Sequence, residues 1–82
     1  MPHVIVKLYP GRSEEDKARL AEAIVKDIMA IAGSAEKSVS VAIEDVDPQD
    51  WVEKVYKPDI LGTKGKLYKK PGYDVPGYDV PG

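Results

Sequence analysis

The chain opens on alternating apolar and polar positions. Residues 3 to 9, His-Val-Ile-Val-Lys-Leu-Tyr, are rich in β-branched and aromatic types, which predicts a strand. Val4, Val6 and Leu8 share one face; His3, Ile5, Lys7 and Tyr9 share the other. Ile5 and Tyr9 make that second face partly apolar, so both sides of the strand are expected to be covered. Pro10-Gly11 breaks the run. Ser13 reads as a helix N-cap, with Glu14, Glu15 and Asp16 in the first turn, where the helix dipole favours acids. Leu20, Ile24, Ile28 and Ile31 follow at helical spacing, supported by Ala21, Val25 and Ala32. Gly33 suits a C-cap. The spacing predicts a helix over 14–32, roughly 28 Å long. Residues 38–44 alternate again, with Val39, Val41 and Ile43 opposed to Ser40, Ala42 and Glu44. Strand, long helix and strand make a β-α-β unit, whose strands should be parallel neighbours joined by a right-handed crossover.

The second half is less regular. Asp47-Pro48 predicts a helix start, with Asp as N-cap and Pro in the first helical position. Trp51, Val52, Val55 and Tyr56 form an apolar stripe over two turns, and Pro58 is expected to end it. Ile60-Leu61 and Lys66-Leu67-Tyr68 are expected as short strands or covering segments around Gly62 and Gly65. Pro71-Gly72-Tyr73-Asp74-Val75 then recurs as a second Pro-Gly-Tyr-Asp-Val unit over 76–80, followed by Pro-Gly. Such units carry no core-building period. The expected division is a single domain over 1–70 and a PGYDV-repeat tail over 71–82. The tail reads either as a flexible end or as an arm clasping a partner subunit through Tyr73 and Tyr78.

Composition narrows what the pattern can be. At 82 residues there is room for one domain. A chain this small buries only about 60% of the surface it exposes unfolded, so its own core is expected to be marginal. It has no Cys, which excludes disulfides and thiolate metal sites, and a single His. One His builds no metal site without several carboxylates around it, so self-association is the remaining source of stability. With 12 basic and 14 acidic residues the net charge is −2, which gives no footprint for nucleic acid. No polybasic segment, signal peptide or apolar stretch of membrane-spanning length is present. The expectation is a soluble cytoplasmic protein needing no metal or cofactor.

A Gly-rich phosphate loop is missing, and one His cannot complete a Ser-His-Asp or Cys-His set. Attention falls on Pro2. A small second residue permits removal of Met1, and the freed prolyl nitrogen is a rigid secondary amine at the head of a strand. Beside an apolar wall and a cation it would lose basicity, since both disfavour the ammonium form. A general base works best with its pKa near the operating pH. While Met1 is attached, the same nitrogen is a tertiary amide without useful basicity. The plain alternative is that Pro2 only precedes a strand.

Taken together these features resemble the 4-oxalocrotonate tautomerase family, which uses an amino-terminal proline as its base. Met1-Pro2 is followed by an apolar strand, then by Gly11-Arg12-Ser13 with the acidic start Glu14-Glu15-Asp16-Lys17. Ser38-Val39-Ser40-Val41-Ala42-Ile43-Glu44 is similar to the family's second strand, and Trp51 falls where the family carries a pocket-walling aromatic. The resemblance covers about residues 2 to 51. His3, the Asp47-Pro48 segment with Trp51, and Lys69-Lys70-Pro71-Gly72-Tyr73 are similar to the small dimeric phenylpyruvate-tautomerase-like bacterial branch. The resemblance implies that Pro2 is the base, that Arg12 holds a substrate carboxylate, and that Trp51 forms the apolar wall. Ser40 stands where founding members carry a second arginine. That departure disfavours a dicarboxylate and favours a monocarboxylate such as phenylenolpyruvate, to which Ser40 would donate a hydrogen bond. His3 reads as structural.

The expected architecture is an α/β tautomerase unit with a short second helix and a small C-terminal β element. Two such units would dimerise edge to edge into a four-stranded sheet, hiding edges that invite aggregation. Each site would then borrow residues from the other chain; a hexamer is the family's other state. The expected function is keto-enol tautomerisation of a 2-oxo or 2-hydroxy-enoic acid. Two rivals stand beside it. One is hydrolytic dehalogenation or hydration on the same scaffold, with Glu44 or Asp45 activating water. The other is a non-catalytic dimeric binding module.

Overall fold

The computed structural model describes residues 1–63 and 65–78. The chain divides into two compact units at Val46/Asp47. The first is the β-α-β unit: β1 (His3–Leu8), α1 (Glu14–Ala32) and β2 (Ser40–Asp45). The strands are parallel neighbours in a two-stranded sheet, with Val4 opposite Val41 and Val6 opposite Ile43. The ladder is closed at both ends: the Ser40 amide donates to the Pro2 carbonyl at 3.1 Å and the Val46 amide to the Leu8 carbonyl at 2.8 Å. Pro2 has no N–H with which to extend β1 backwards.

The terminal signals of α1 do what their chemistry requires. Ser13 accepts a hydrogen bond from the Asp16 amide at 3.1 Å, satisfying one of the open donors of the first turn. The helix closes on Gly33, at φ 72°. Lys17 joins α1 to the end of β2, lying 3.0 Å from Glu14 and 3.3 Å from Asp45. Hydrogen bonds to Glu14 first, and then to Asp45, hold its ammonium above the ordinary lysine range.

The second strand starts later than the alternation predicts. Glu36–Ser38 is a 3₁₀ turn, with the Ser38 amide on the Ala35 carbonyl and the Val39 amide on that of Glu36. Pairing begins at Ser40 because its partner, His3, is the first residue of β1. Nor does the single chain cover both sheet faces. Val4, Val6, Leu8, Val41 and Ile43 are half-buried on one side. On the other, Ile5 stays 53% exposed and Tyr9, beyond the strand end, 45%.

In the second unit Asp47 introduces a 3₁₀ turn, Pro48–Asp50, without a side-chain capping bond. A ten-residue π-helix then runs over Val52–Leu61 and passes through Pro58 instead of stopping before it. In an α-helix the proline ring would press on the carbonyl four residues back; the wider i→i+5 path relieves that clash. The expected stripe holds, with Val55 and Tyr56 buried and Trp51 and Val52 half-buried. Ile60 and Leu61 belong to the last turn of this helix rather than to a strand. Lys66–Tyr68 forms no strand either, and Tyr68 is fully exposed.

The C-terminal β element amounts to one antiparallel bridge, Val75 to Tyr78. The Tyr78 amide donates to the Val75 carbonyl at 3.0 Å across Pro76-Gly77. Proline before a glycine at φ 86° is the pattern of a type II turn, whose third residue needs a positive φ. Residues 79–82 of the expected tail lie outside the described residues. Among the described residues, no helix is long and apolar enough to cross a membrane. Only Val46, Val55 and Tyr56 are buried hydrophobics among them, so the isolated chain leaves much of its apolar side-chain surface open.

Candidate functional site

Parallel pairing decides which sequence candidates meet. Pro2 is half-buried at the head of β1, and its carbonyl accepts from Ser40, the first residue of β2. Met1 ahead of it is fully exposed. The Ser40 hydroxyl lies 2.6 Å from His3 Nδ1, forming a cross-strand hydrogen bond directly after Pro2. Pro2, His3 and Ser40 thus make one cluster, tied together by a backbone bond and a side-chain bond. His3 was read from sequence as structural, and its partner here is Ser40 across the sheet. No pattern in the sequence indicated its partner, because residues 37 positions apart meet only through the register of the sheet.

Arg12 is not in that cluster. It lies in the loop after β1, where its guanidinium donates to the Tyr9 carbonyl at 3.0 Å through one of its five N–H groups. At about 3.3 Å per residue, β1 separates Arg12 from Pro2 of the same chain by roughly 20 Å. A small acid cannot bridge that span.

Trp51, at the start of the π-helix, belongs to the second unit. Its indole N–H donates to the Tyr73 hydroxyl oxygen at 3.0 Å. Tyr73 in turn packs on buried Tyr56 with ring centroids 5.8 Å apart, and Tyr78 meets Tyr56 edge-on at 6.4 Å. The Lys57 ammonium stands 5.2 Å over the Tyr78 ring and 2.6 Å from Glu53. Glu53 first, and then Tyr78, hold that ammonium above its ordinary range. Among the described residues no three His, Asp or Glu side chains gather as metal ligands.

Comparison with known proteins agrees with this architecture. A family profile described as "Tautomerase enzyme" matches residues 2–55. A probable tautomerase from Xylella fastidiosa is 47% identical over 73 residues, covering 89% of each protein. Tautomerase PptA of Pectobacterium carotovorum is 40% identical over 74 residues, covering 89% of this chain and 97% of that one. Among solved structures, a 4-oxalocrotonate tautomerase isozyme of Methylibium petroleiphilum superposes with a TM-score of 0.58 at 32% identity, over 61% of this chain and 81% of that one. TomN, a 4-oxalocrotonate tautomerase homologue of the tomaymycin biosynthetic pathway, gives a TM-score of 0.59 at the same 32% identity, over 61% of this chain and 77% of its own. With a half-chain profile match, near full-length relatives and a shared β-α-β fold, the chain belongs to the tautomerase family and is an isomerase.

Proposed function

We propose that this tautomerase interconverts the enol and keto forms of a 2-oxo monocarboxylate, phenylenolpyruvate being the working substrate, with Pro2 as general base once Met1 is removed. The reading rests on Pro2 and Ser40 sharing the open head of the sheet while Arg12 stands at its far end. Met1 is fully exposed, so an aminopeptidase can reach it. The free Pro2 nitrogen takes the proton of the enol hydroxyl. The C2–O bond becomes a carbonyl, the C2=C3 electron pair moves to C3, and the prolinium returns a proton there. Nothing enters or leaves in the net reaction.

Arg12 suits the substrate carboxylate because a guanidinium offers paired donors in the geometry of two carboxylate oxygens. It cannot serve Pro2 of its own chain, so the carboxylate clamp comes from a second copy. In a two-fold dimer whose sheets join edge to edge, antiparallel strands set one chain's head beside the other's tail. The exposed Ile5 leaves apolar surface on the sheet face for further association of such dimers. A trimer of these dimers, giving a hexamer, uses the same pairing. Trp51 supplies an apolar wall that disfavours the prolinium and covers the substrate's side chain. Ser40 in place of an arginine leaves no second cation for a distal carboxylate. The site operates in the cytoplasm, where Met1 is processed.

The test is protein shown by mass spectrometry to begin at Pro2, assayed by the ultraviolet decay of phenylenolpyruvate. Activity abolished in Pro2→Ala, with the fold retained by circular dichroism, is expected; full activity in that variant overturns the proposal.

A further inference from the structure

The repeated Pro-Gly-Tyr-Asp-Val segment has no place in the chemistry described so far, yet its first tyrosine reaches a proposed site residue. An indole has one polar group, a single N–H donor. In Trp51 that donor is engaged by the Tyr73 hydroxyl oxygen at 3.0 Å. Two consequences follow from the geometry. The indole edge is committed to the protein, so a ligand in a site lined by Trp51 would meet its ring face. And the orientation of that face is set by Tyr73, whose ring is itself seated on Tyr56, 1% exposed and the largest fully buried side chain described. Tyr78, from the second repeat unit of the same chain, meets Tyr56 edge-on beneath Lys57. The repeat therefore works as a brace: buried Tyr56 carries Tyr73, and Tyr73 fixes Trp51.

We propose that Tyr73 is a positioning residue for the tautomerase reaction, presetting the Trp51 ring face against an apolar or aromatic substrate side chain. The inference rests on Trp51 lining the substrate site. An indole already held in place loses no rotamer freedom when substrate arrives, so the effect belongs to binding. Proton transfer at Pro2 does not involve it.

Trp51 is the sole tryptophan of the chain, so the emission comes from this indole and responds to changes in its surroundings. The experiment compares Tyr73→Phe, which keeps the ring on Tyr56 and loses only the hydroxyl, with Tyr73→Leu, which loses both, and with Trp51→Ala. For Tyr73→Phe the expected result is a shifted Trp51 emission and an unchanged melting temperature. KM for phenylenolpyruvate should rise about fivefold, the scale of one hydrogen bond, with kcat within twofold. A purely structural role would instead lower the melting temperature and leave KM alone, and that outcome overturns the proposal. Identical emission and KM in wild type and Tyr73→Phe overturns it as well. Trp51→Ala separates the two layers. If it raises KM while Tyr73→Phe does not, only the brace fails. If it leaves KM unchanged, the placement of Trp51 in the site fails, and the positioning role with it. Should Tyr73→Leu misfold, the Phe variant alone decides.

Discussion

Arg12 offers the sharpest consequence of the strand geometry. In Arg12→Ala the substrate carboxylate loses its paired donors. One guanidinium N–H is spent on the Tyr9 carbonyl at 3.0 Å, which fixes the loop without exhausting the group. Hydrogen bonds to a charged partner contribute about 1.5 to 3 kcal/mol each. Arg12 is exposed in the single chain, so solvent holds the pair together to roughly 2 to 3 kcal/mol. That corresponds to a loss of about 30- to 150-fold in kcat/KM. Most of it should appear in KM, because the carboxylate is held equally before and during proton transfer. Arg12→Lys keeps the charge without the fork and should fall between wild type and Ala. The separation of roughly 20 Å along β1 adds a stronger requirement. Pro2→Ala and Arg12→Ala proteins, each crippled alone, should complement when unfolded together and refolded. In a mixed dimer one site combines an intact Pro2 with an intact Arg12, so random pairing restores roughly a quarter of the wild-type sites. The ultraviolet assay with phenylenolpyruvate reads this directly. A mixture no more active than the sum of its parts would refute the shared site, and an Arg12→Ala enzyme within twofold of wild type would remove Arg12 from it.

Tyr56 carries both ring contacts of the repeat and is 1% exposed, so Tyr56→Ala should cost about 3 to 5 kcal/mol and lower the melting temperature by about 15 °C or more; a drop of a few degrees would mean the second unit does not depend on it. A Cβ on Gly62 would run into the Pro58 carbonyl oxygen, with the Lys57 carbonyl at 3.4 Å. Gly62→Ala should therefore shift the urea midpoint downward by the equivalent of about 1 to 3 kcal/mol, and an unshifted midpoint would show that the helix end yields freely. Lys17, raised by Glu14 and Asp45, contributes stability that is complete below its ordinary value of 10.5 and is lost as pH rises through the higher folded value. Urea midpoints should fall on that alkaline side in wild type and less steeply in Lys17→Met, where Lys57 still titrates; parallel curves would dismiss the contribution.

Most of the first unit was legible because local chemistry and global pairing agree there. Ser13, the acids after it, the spacing of Leu20 to Ile31 and Gly33 all specify one helix, and the structure has it at Glu14–Ala32. Where the signal was local but the outcome depended on partners, legibility fell. Ser38 and Val39 alternate like strand residues, yet β2 can start only where β1 offers His3. Pro58 ends an α-helix by rule, but a π-helix accommodates it, and sequence spacing does not announce that widening. The Trp51–Tyr73 bond joins residues 22 positions apart, and a Pro-Gly repeat gives no periodicity from which to infer it. Of the candidate site, sequence offered the residues only one by one. Their distribution, with Ser40 beside Pro2 and Arg12 at the opposite strand end, came from the parallel register.

The measurement that bears most directly on the chemistry is a nitrogen NMR titration of the Pro2 amine in protein that begins at Pro2. A catalytic base held beside an apolar wall and a partner's guanidinium should lose its proton at a pH of about 7 or below. An amine that stays protonated up to the ordinary range of about 8 or beyond would contradict the assignment of Pro2 as the base.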